Sequence, residues 1–559
     1  MPAGSAGSTG NPARLLLGPV LRHVGETTAS VWVQVDSPAT VEVLGCSART
    51  FEVAGHHYAL VGVTGLEPAS TTPYEVHVDG VRVWPPPVSP FPPSVVRTRG
   101  DAATGRVRLV FGSCRYPKVA DLGMAARFGI DALDAYAARM ARRPVDEWPE
   151  ALILLGDQVY ADELTPQNRR RIGGKRDRHP DWPPDEIVGF DEYAGLYADS
   201  WSDPEVRWMM STVPVAMIFD DHDIRDDWNT SHAWREQMAA TPWWRDRIRA
   251  GLASYWVYQH IGNLAPDVLA ADADHAAVVG HGGDTWPLLA ELADRADAET
   301  CGGKGVRFSY RWDIGDTRLV MIDSRNGRIL ADGAHLMLGD TEFRWVEEQV
   351  LAPGPVEHLV LGTSLPWLLP PAIGDVQAVN EVAAARPGWR GRLGEAVRQA
   401  ADLEHWAAFD ESFDRLTELI GHAAAAGPAT VTVLSGDVHH SYAARATLPG
   451  DPPAAVHQLT CSPVHNHVEW FIRPGFRLGW SRLAARLTRA WSRHVGVADP
   501  EVSWRRVAGP LFGNVVATLA MHGREARVTF EQPRTAGSLD ELASLQLTAR
   551  PADTPAEVP

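Results

Sequence analysis

Four aliphatic runs, each ending abruptly in ionisable residues, constrain this chain more than any other feature. They read RVRLVFGSC up to Cys114, ALILLGDQVY up to Tyr160, VPVAMIFDDHD up to Asp223 and ATVTVLSGDVHH up to His440. Runs that are apolar throughout suit strands buried on both faces, as in layered α/β architectures with helices outside. In such sheets ligands bind beyond the carboxyl ends of the strands. Four sequence-distant clusters of Asp, His, Cys and Tyr are therefore expected at one cleft. TRLVMIDSR and HLVLGTS continue the pattern, and no repeat of fixed period accompanies it.

Carboxylates that converge without cations raise one another's pKa, and metal ions placed among them relieve the repulsion. A mixture of Asp, His, Cys and Tyr points away from magnesium alone, which prefers oxygen ligands. Paired metals can hold the attacking and leaving oxygens of an in-line phosphoryl transfer and supply a metal-activated hydroxide. The residues thus point to a metal-dependent phosphoester hydrolase. Cys114 alone would ordinarily be a small core residue, and Asp162 stays open between helix cap and support of the site. His440 and His465 are expected behind the ligands or at the surface. The clusters DDHD and GDVHH, directly after strands, are hard to read as solvated faces.

At 559 residues several domains are expected. Residues 15–99 hold short β-branched runs such as TASVWVQV and PYEVHVDG, which predict a small all-β sandwich with no catalytic cluster. VWPPPVSPFPPS follows as a stiff linker. Residues 105–535 carry the α/β pattern and close on a hairpin, GNVVATLAMHGREARVTFEQP, and residues 536–559 read as a disordered tail. Arg169–Pro184 is expected to be a polar loop. A net charge of −18 argues against a nucleic-acid-binding surface, although metals can still draw in an anionic substrate. Four scattered cysteines suggest neither disulfides nor a zinc ribbon. No run is long enough to span a membrane, and the leader MPAGSAGSTGNPAR has no signal-peptide features, so a disordered leader and a cytoplasmic location are expected, with export left open. Phe476–Val495 is a basic amphipathic helix with Trp480, Leu483, Leu487 and Trp491 on one face. The expectation is that this face packs on its own protein; peripheral membrane contact through 476–495 is the alternative.

GSC, GDQVYAD, DDHD and SGDVHH, in this order between about Val107 and Gln532, resemble PhoD-type alkaline phosphatases of the metallophosphoesterase superfamily. The resemblance implies a four-layer αββα sandwich preceded by an immunoglobulin/fibronectin-like β-sandwich. It implies iron(III) with calcium, other divalent metals remaining open, and phosphomonoesterase or phosphodiesterase activity on a small phosphoester. Cys114 would be an iron ligand, Asp157 would bridge the metals and Tyr160 would bind iron as phenolate. Asp221, Asp437 and His439 would be further ligands. His222 would contact phosphate and act as general acid, and an arginine would neutralise the developing charge, with Arg325 and Asp323 as supporting or phosphate-binding candidates. The superfamily's opening Asp-x-His is replaced by GSC, and its isolated metal-binding histidine has no evident counterpart. Two other functions stay open: a phospholipase-D-like diesterase at a membrane surface, and a non-catalytic metal- or phosphate-binding protein. The sequence does not give the oligomeric state.

Overall fold

Alternation along Thr28–Val35 explains how the two parts of the chain join. Ala29, Val31, Val33 and Val35 point into the N-terminal sandwich, whereas Trp32 on the opposite face joins the large core of the following domain. A computed structural model describes residues 13–100, 106–119, 121–331, 333–467 and 473–548. Residues 1–12 of the leader expected to be disordered lie outside them, as do residues 549–559; its last two are described, with Ala13 in the sandwich core and Arg14 paired with Asp36 at 2.7 Å.

The sandwich consists of two antiparallel four-stranded sheets. One is ordered Leu15–Val24, Thr28–Val35, His56–Thr64, Phe51–Val53; the other is ordered Cys46–Arg49, Thr40–Val43, Val76–Val78, Val81–Trp84. On the outer side of the first sheet, Trp32 meets Tyr258 with ring centroids 5.2 Å apart. Arg22 is wholly buried beside it and donates through Nη2 to Gln259 O (2.6 Å) and Asn263 Oδ1 (2.8 Å). The proline-rich linker is docked, with Phe91 stacked on Trp208 at 5.3 Å.

Strands of the large domain are β1 (Arg106–Gly112), β2 (Ala151–Leu155), β3 (Val215–Ile218), β4 (Tyr310–Ile314), β5 (Thr317–Ile322), β6 (His358–Thr363), β7 (Thr430–Ser435), β8 (Ser441–Thr447), β9 (Ala455–Thr460), β10 (Ser503–Leu511), β11 (Val516–His522), β12 (Glu525–Thr535) and β13 (Ser538–Gln546). They form two sheets, ordered β3-β2-β1-β11-β12-β13 and β4-β5-β6-β7-β9-β8-β10. Within them β1, β2 and β3 run parallel, as do β5, β6, β7 and β9. Inner-facing residues of both sheets, Leu109 and Phe111 with Leu434 and Leu459, share one core. Helices α1 (Ala132–Met140), α2 (Pro166–Arg176), α3 (Phe190–Trp201), α4 (Pro204–Met210) and α5 (Trp244–Tyr255) arise from the connections of the first sheet. The second sheet is followed or covered by α6 (Asp340–Val350), α7 (Pro371–Ala384), α8 (Trp389–Ala400), α9 (Asp410–Ala425), α10 (Arg473–Gly479) and α11 (Arg482–Val495). Phe343 and Val346 of α6 and Leu416 and Ile420 of α9 pack on Val431 and Val433 of β7. The expected layered α/β class, with a small all-β unit in front, is the observed one.

Three local expectations are corrected. The loop expected at Arg169–Pro184 is partly α2, capped by Thr165, whose Oγ1 accepts from Asn168 N at 3.1 Å. The tail expected from residue 536 contains β13, paired along β12. The basic helix α11 exposes Leu483, Leu487 and Trp491 instead of packing them, and of the expected face only Trp480, just before the helix, packs as expected, 5.1 Å from the ring of Tyr442. Among the described residues no helix is long and apolar enough to cross a membrane, and the four cysteines are unpaired.

Candidate metal centre

Strained backbone, not only strand placement, aims the polar side chains. Cys114, Asp157, Asp437 and His439 all adopt the left-handed conformation, with φ of 56°, 47°, 65° and 50°. Non-glycine residues rarely do so, and such strain clusters at functional sites. Neighbouring glycines allow the loops to touch. At Gly156 (φ 113°) a Cβ would lie 2.5 Å from Asp220 Cβ, and at Gly436 it would lie 2.1 Å from Ser113 Oγ. Asp223 ties two loops together, its carboxylate accepting from Asp220 N (2.9 Å) and Val159 N (3.3 Å).

These loops bring Asp157, Asp221, His222 and Asp437 together, while Cys114 and His439 fall outside the two closest groups. Asp157, Asp221 and His222 place ligand atoms within 4.8 Å of one another, and so do Asp220, Asp221 and Asp437. The two triads share Asp221, and Asp157, expected as the bridge, belongs to the first of them. Cys114 Sγ lies 3.8 Å from Asp437 O and 3.2 Å from Ser462 Oγ. The Tyr160 hydroxyl is 3.4 Å from Asp157 Oδ2 and accepts from Asn466 Nδ2 at 2.9 Å. Cys114, Asp157, Tyr160, Asp220 and Asp221 form a buried floor, and His222, Asp437 and His439 stand at its partly open rim.

The floor is electrostatically incomplete as protein alone. Asp157 Oδ1 and Asp220 Oδ2 are buried without a hydrogen-bond partner. Burial pushes the Asp157 carboxyl well above its usual range, with Asp220, Asp221 and Asp223 adding to it against the pull of His222. Burial, Asp157 and Asp437 raise the Cys114 thiol in the same way. Orphaned carboxylate oxygens beside a thiol and a phenol fit a bound cation, which needs these groups deprotonated. His439 is held neutral, down to about 4 by burial and His222 against Asp437, the state in which imidazole ligates. A third acidic group, Asp134, Asp203 and Glu205, is different, because Lys118 Nζ already sits against Asp134 (3.0 Å) and Asp203.

Other candidates take supporting places. Asp162 Oδ1 bonds His222 Nδ1, so it supports the site and caps no helix. Asp323 closes its own turn by accepting from Arg325 N (3.0 Å) and Asn326 N (2.8 Å). His440 and His465 bond the carbonyls of Val438 and Tyr116 and stay out of the triads. Arg325 is completely buried beneath the carboxylates, bonded to Asp220 and within 2.5 Å of Glu404, 3.2 Å of Asp221 and 3.7 Å of Asp437. A guanidinium enclosed there holds ligands in place, which fits the supporting role and not the phosphate contact of the two expected for it.

Residues 125–471 match the family model described as PhoD-like phosphatase. The chain belongs to the PhoD-like phosphatase family. Residues 12–96 match DUF7800, a domain of unknown function. A solved structure described as "Structure of PhoD" superposes with a TM-score of 0.57 over 97% of this chain and 90% of that one, at 12% identity, which shows a shared fold. No curated protein matches. As a PhoD-like phosphatase the protein is a hydrolase of the metal-dependent phosphoesterase kind, with acidic clusters suited to the metal.

Sequence reasoning misses several residues of this PhoD-like site. His405 Nε2 lies 2.8 Å from Asp437 Oδ2, while Gln377 Nε2 is 2.8 Å from its Nδ1. With Gln377 donating to Nδ1, the Nε2–H faces the carboxylate. Glu404 sets Arg325 from below, and Asn466 holds Tyr160. Glu404 and His405 follow α8, with no strand before them to mark them.

Proposed function

We propose that this chain hydrolyses phosphomonoesters or phosphodiesters at the strand-end centre, with iron(III) and calcium as its metals. The observation that carries the reading is the cluster of carboxylates Asp157, Asp220 and Asp437 around the shared Asp221, with His222 fixed by Asp162 at their rim. Cys114, Asp157 and Tyr160 supply the thiolate, carboxylate and phenolate suited to iron(III), and Asp220, Asp221 and Asp437 supply the oxygens suited to calcium. Bound metals would neutralise phosphoryl charge and lower the pKa of water for in-line attack.

The remaining steps belong to side chains. Hydrogen bonding of Nδ1 to Asp162 leaves His222 Nε2 for the substrate. Burial disfavours its cation, yet Asp162 and Asp221 outweigh that and raise its pKa well above the ordinary value. Paired with Asp162, His222 is placed to give the proton that the departing ester oxygen needs. Arg325 and His405 keep Asp220, Asp221 and Asp437 in place as charge develops. Turnover of chromogenic phosphomonoesters and phosphodiesters tests the activity. A visible phenolate-to-iron band that disappears in Tyr160→Phe tests the metal; a colourless, fully active protein would contradict iron–tyrosine ligation.

A further inference from the structure

Helix α11 is packed with its polar side inward. Thr488 Oγ1 donates to Asp375 Oδ2 of α7 at 2.8 Å, and Arg489 pairs with the same carboxylate. Leu483, Leu487 and Trp491, one stripe at i, i+4 and i+8, face outward, the two leucines 67% and 63% exposed. Soluble amphipathic helices normally do the reverse.

Helix α8, also packed on α7, repeats the arrangement. A Cβ on Gly394 would come within 2.7 Å of Ala384 N, and Asn380 Nδ2 donates to Gly394 O at 2.9 Å, so α8 approaches α7 through its small residues. That leaves Trp389, Leu393 and Val397 outside, again at i, i+4 and i+8, with Trp389 64% exposed. Two uncovered stripes on helices that share a neighbour exceed the singly scattered apolar residues of an ordinary surface.

Charge identifies what covers them. From Arg473 to Gly496 the chain has six arginines and no acidic residue, within a protein of net charge −18. Arg482 and Arg486 alternate with Leu483 and Leu487, and Arg386, Arg390 and Arg392 flank Trp389. None of the five has a carboxylate partner among the described residues. We propose that α8 and α11 lie on an anionic lipid surface, with leucine and tryptophan in the headgroup boundary and arginine against lipid phosphate. A second copy meeting this face symmetrically would set arginine against arginine. A nucleic acid would use the arginines and leave the stripes wet.

The test is flotation of the full chain with vesicles of phosphatidylcholine alone and of phosphatidylcholine with phosphatidylglycerol. Binding is expected only to the anionic vesicles, and weakens with salt. Leu487→Glu and Arg486→Glu should each lower it by roughly tenfold. Both variants should keep wild-type melting and wild-type turnover of a soluble chromogenic ester. Equal binding to both vesicles, no binding, or binding unchanged in both variants would overturn the proposal. So would a dimer in sedimentation that Leu487→Glu dissociates.

Discussion

Asp162 Oδ1 and His222 Nδ1 are 2.9 Å apart, and the other Asp162 oxygen accepts from Asp226 N at 2.5 Å. One carboxylate therefore fixes both the ring and the turn that follows it. The pair sustains itself electrically: burial opposes ionisation of Asp162, but His222 overcomes it and brings the carboxyl down to about 2. Asp162→Asn should reduce turnover by about 100-fold, within the range of general acid catalysis. The loss should be larger for alkyl than for nitrophenyl leaving groups, which need little protonation. Equal losses on both substrates would show that His222 does not act on the leaving oxygen.

Gly156 allows Asp157 and Asp220 to belong to one site. A methyl group at its Cα would lie 2.5 Å from Asp220 Cβ, in a backbone conformation that side chains rarely adopt. Gly156→Ala is expected to displace Asp220 and the Asp157 loop together, lowering both metal content and turnover. Unchanged metal content, measured on the folded variant by mass spectrometry, would contradict this packing account.

Arg325 is the counter-charge on which the buried floor rests. Arg325→Met leaves Asp220 unpaired, a loss of about 3–5 kcal/mol for a broken buried pair. Arg328 remains 3.2 Å from Glu404 and softens the effect on that side. Thermal melting should show the destabilisation, and adding Asp220→Asn should restore part of it. A double variant no more stable than the single one would rule out Asp220 as the stranded charge.

His457 predicts part of the acid sensitivity. It lies on β9 opposite Arg445 of β8, whose other neighbour is Arg505 of β10, and its Nδ1 has no hydrogen-bond partner. Burial first, then the two arginines, bring it down to about 3. The folded protein keeps it neutral while the unfolded chain takes up a proton near 6.5. Its contribution is complete above that pH and is lost as pH falls towards 3, amounting to about 2 kcal/mol at pH 5. His457→Gln should narrow the difference in unfolding free energy between neutral pH and pH 5. An unchanged difference would mean that other groups carry the acid response.

Much of this was legible because it is local in sequence. An apolar run followed at once by Asp or His identifies Asp157, Asp221 and Asp437 without knowledge of their neighbours. Glu404, His405 and Asn466 have no such signal; only the tertiary path of the chain brings them in. The same applies to Arg325, whose type suggested phosphate and whose depth assigns it to carboxylates. Helix α2 lacks an apolar stripe, although Thr165 followed by Pro166 is an N-cap and first-turn pattern. In β13 only Leu539, Ala543 and Leu545 pack against the core, so an edge strand resembles a tail. Periodicity revealed the stripe of α11 but carries no information on which side meets the protein.

Metal content and phosphoester turnover of Asp157→Asn, measured on the same folded sample beside the wild type, test the central claim most directly. Wild-type protein should contain metal, lose turnover when a chelator removes it and recover on reloading, while Asp157→Asn should lack both bound metal and turnover. Asp157→Asn that retains wild-type metal and wild-type turnover would contradict the account.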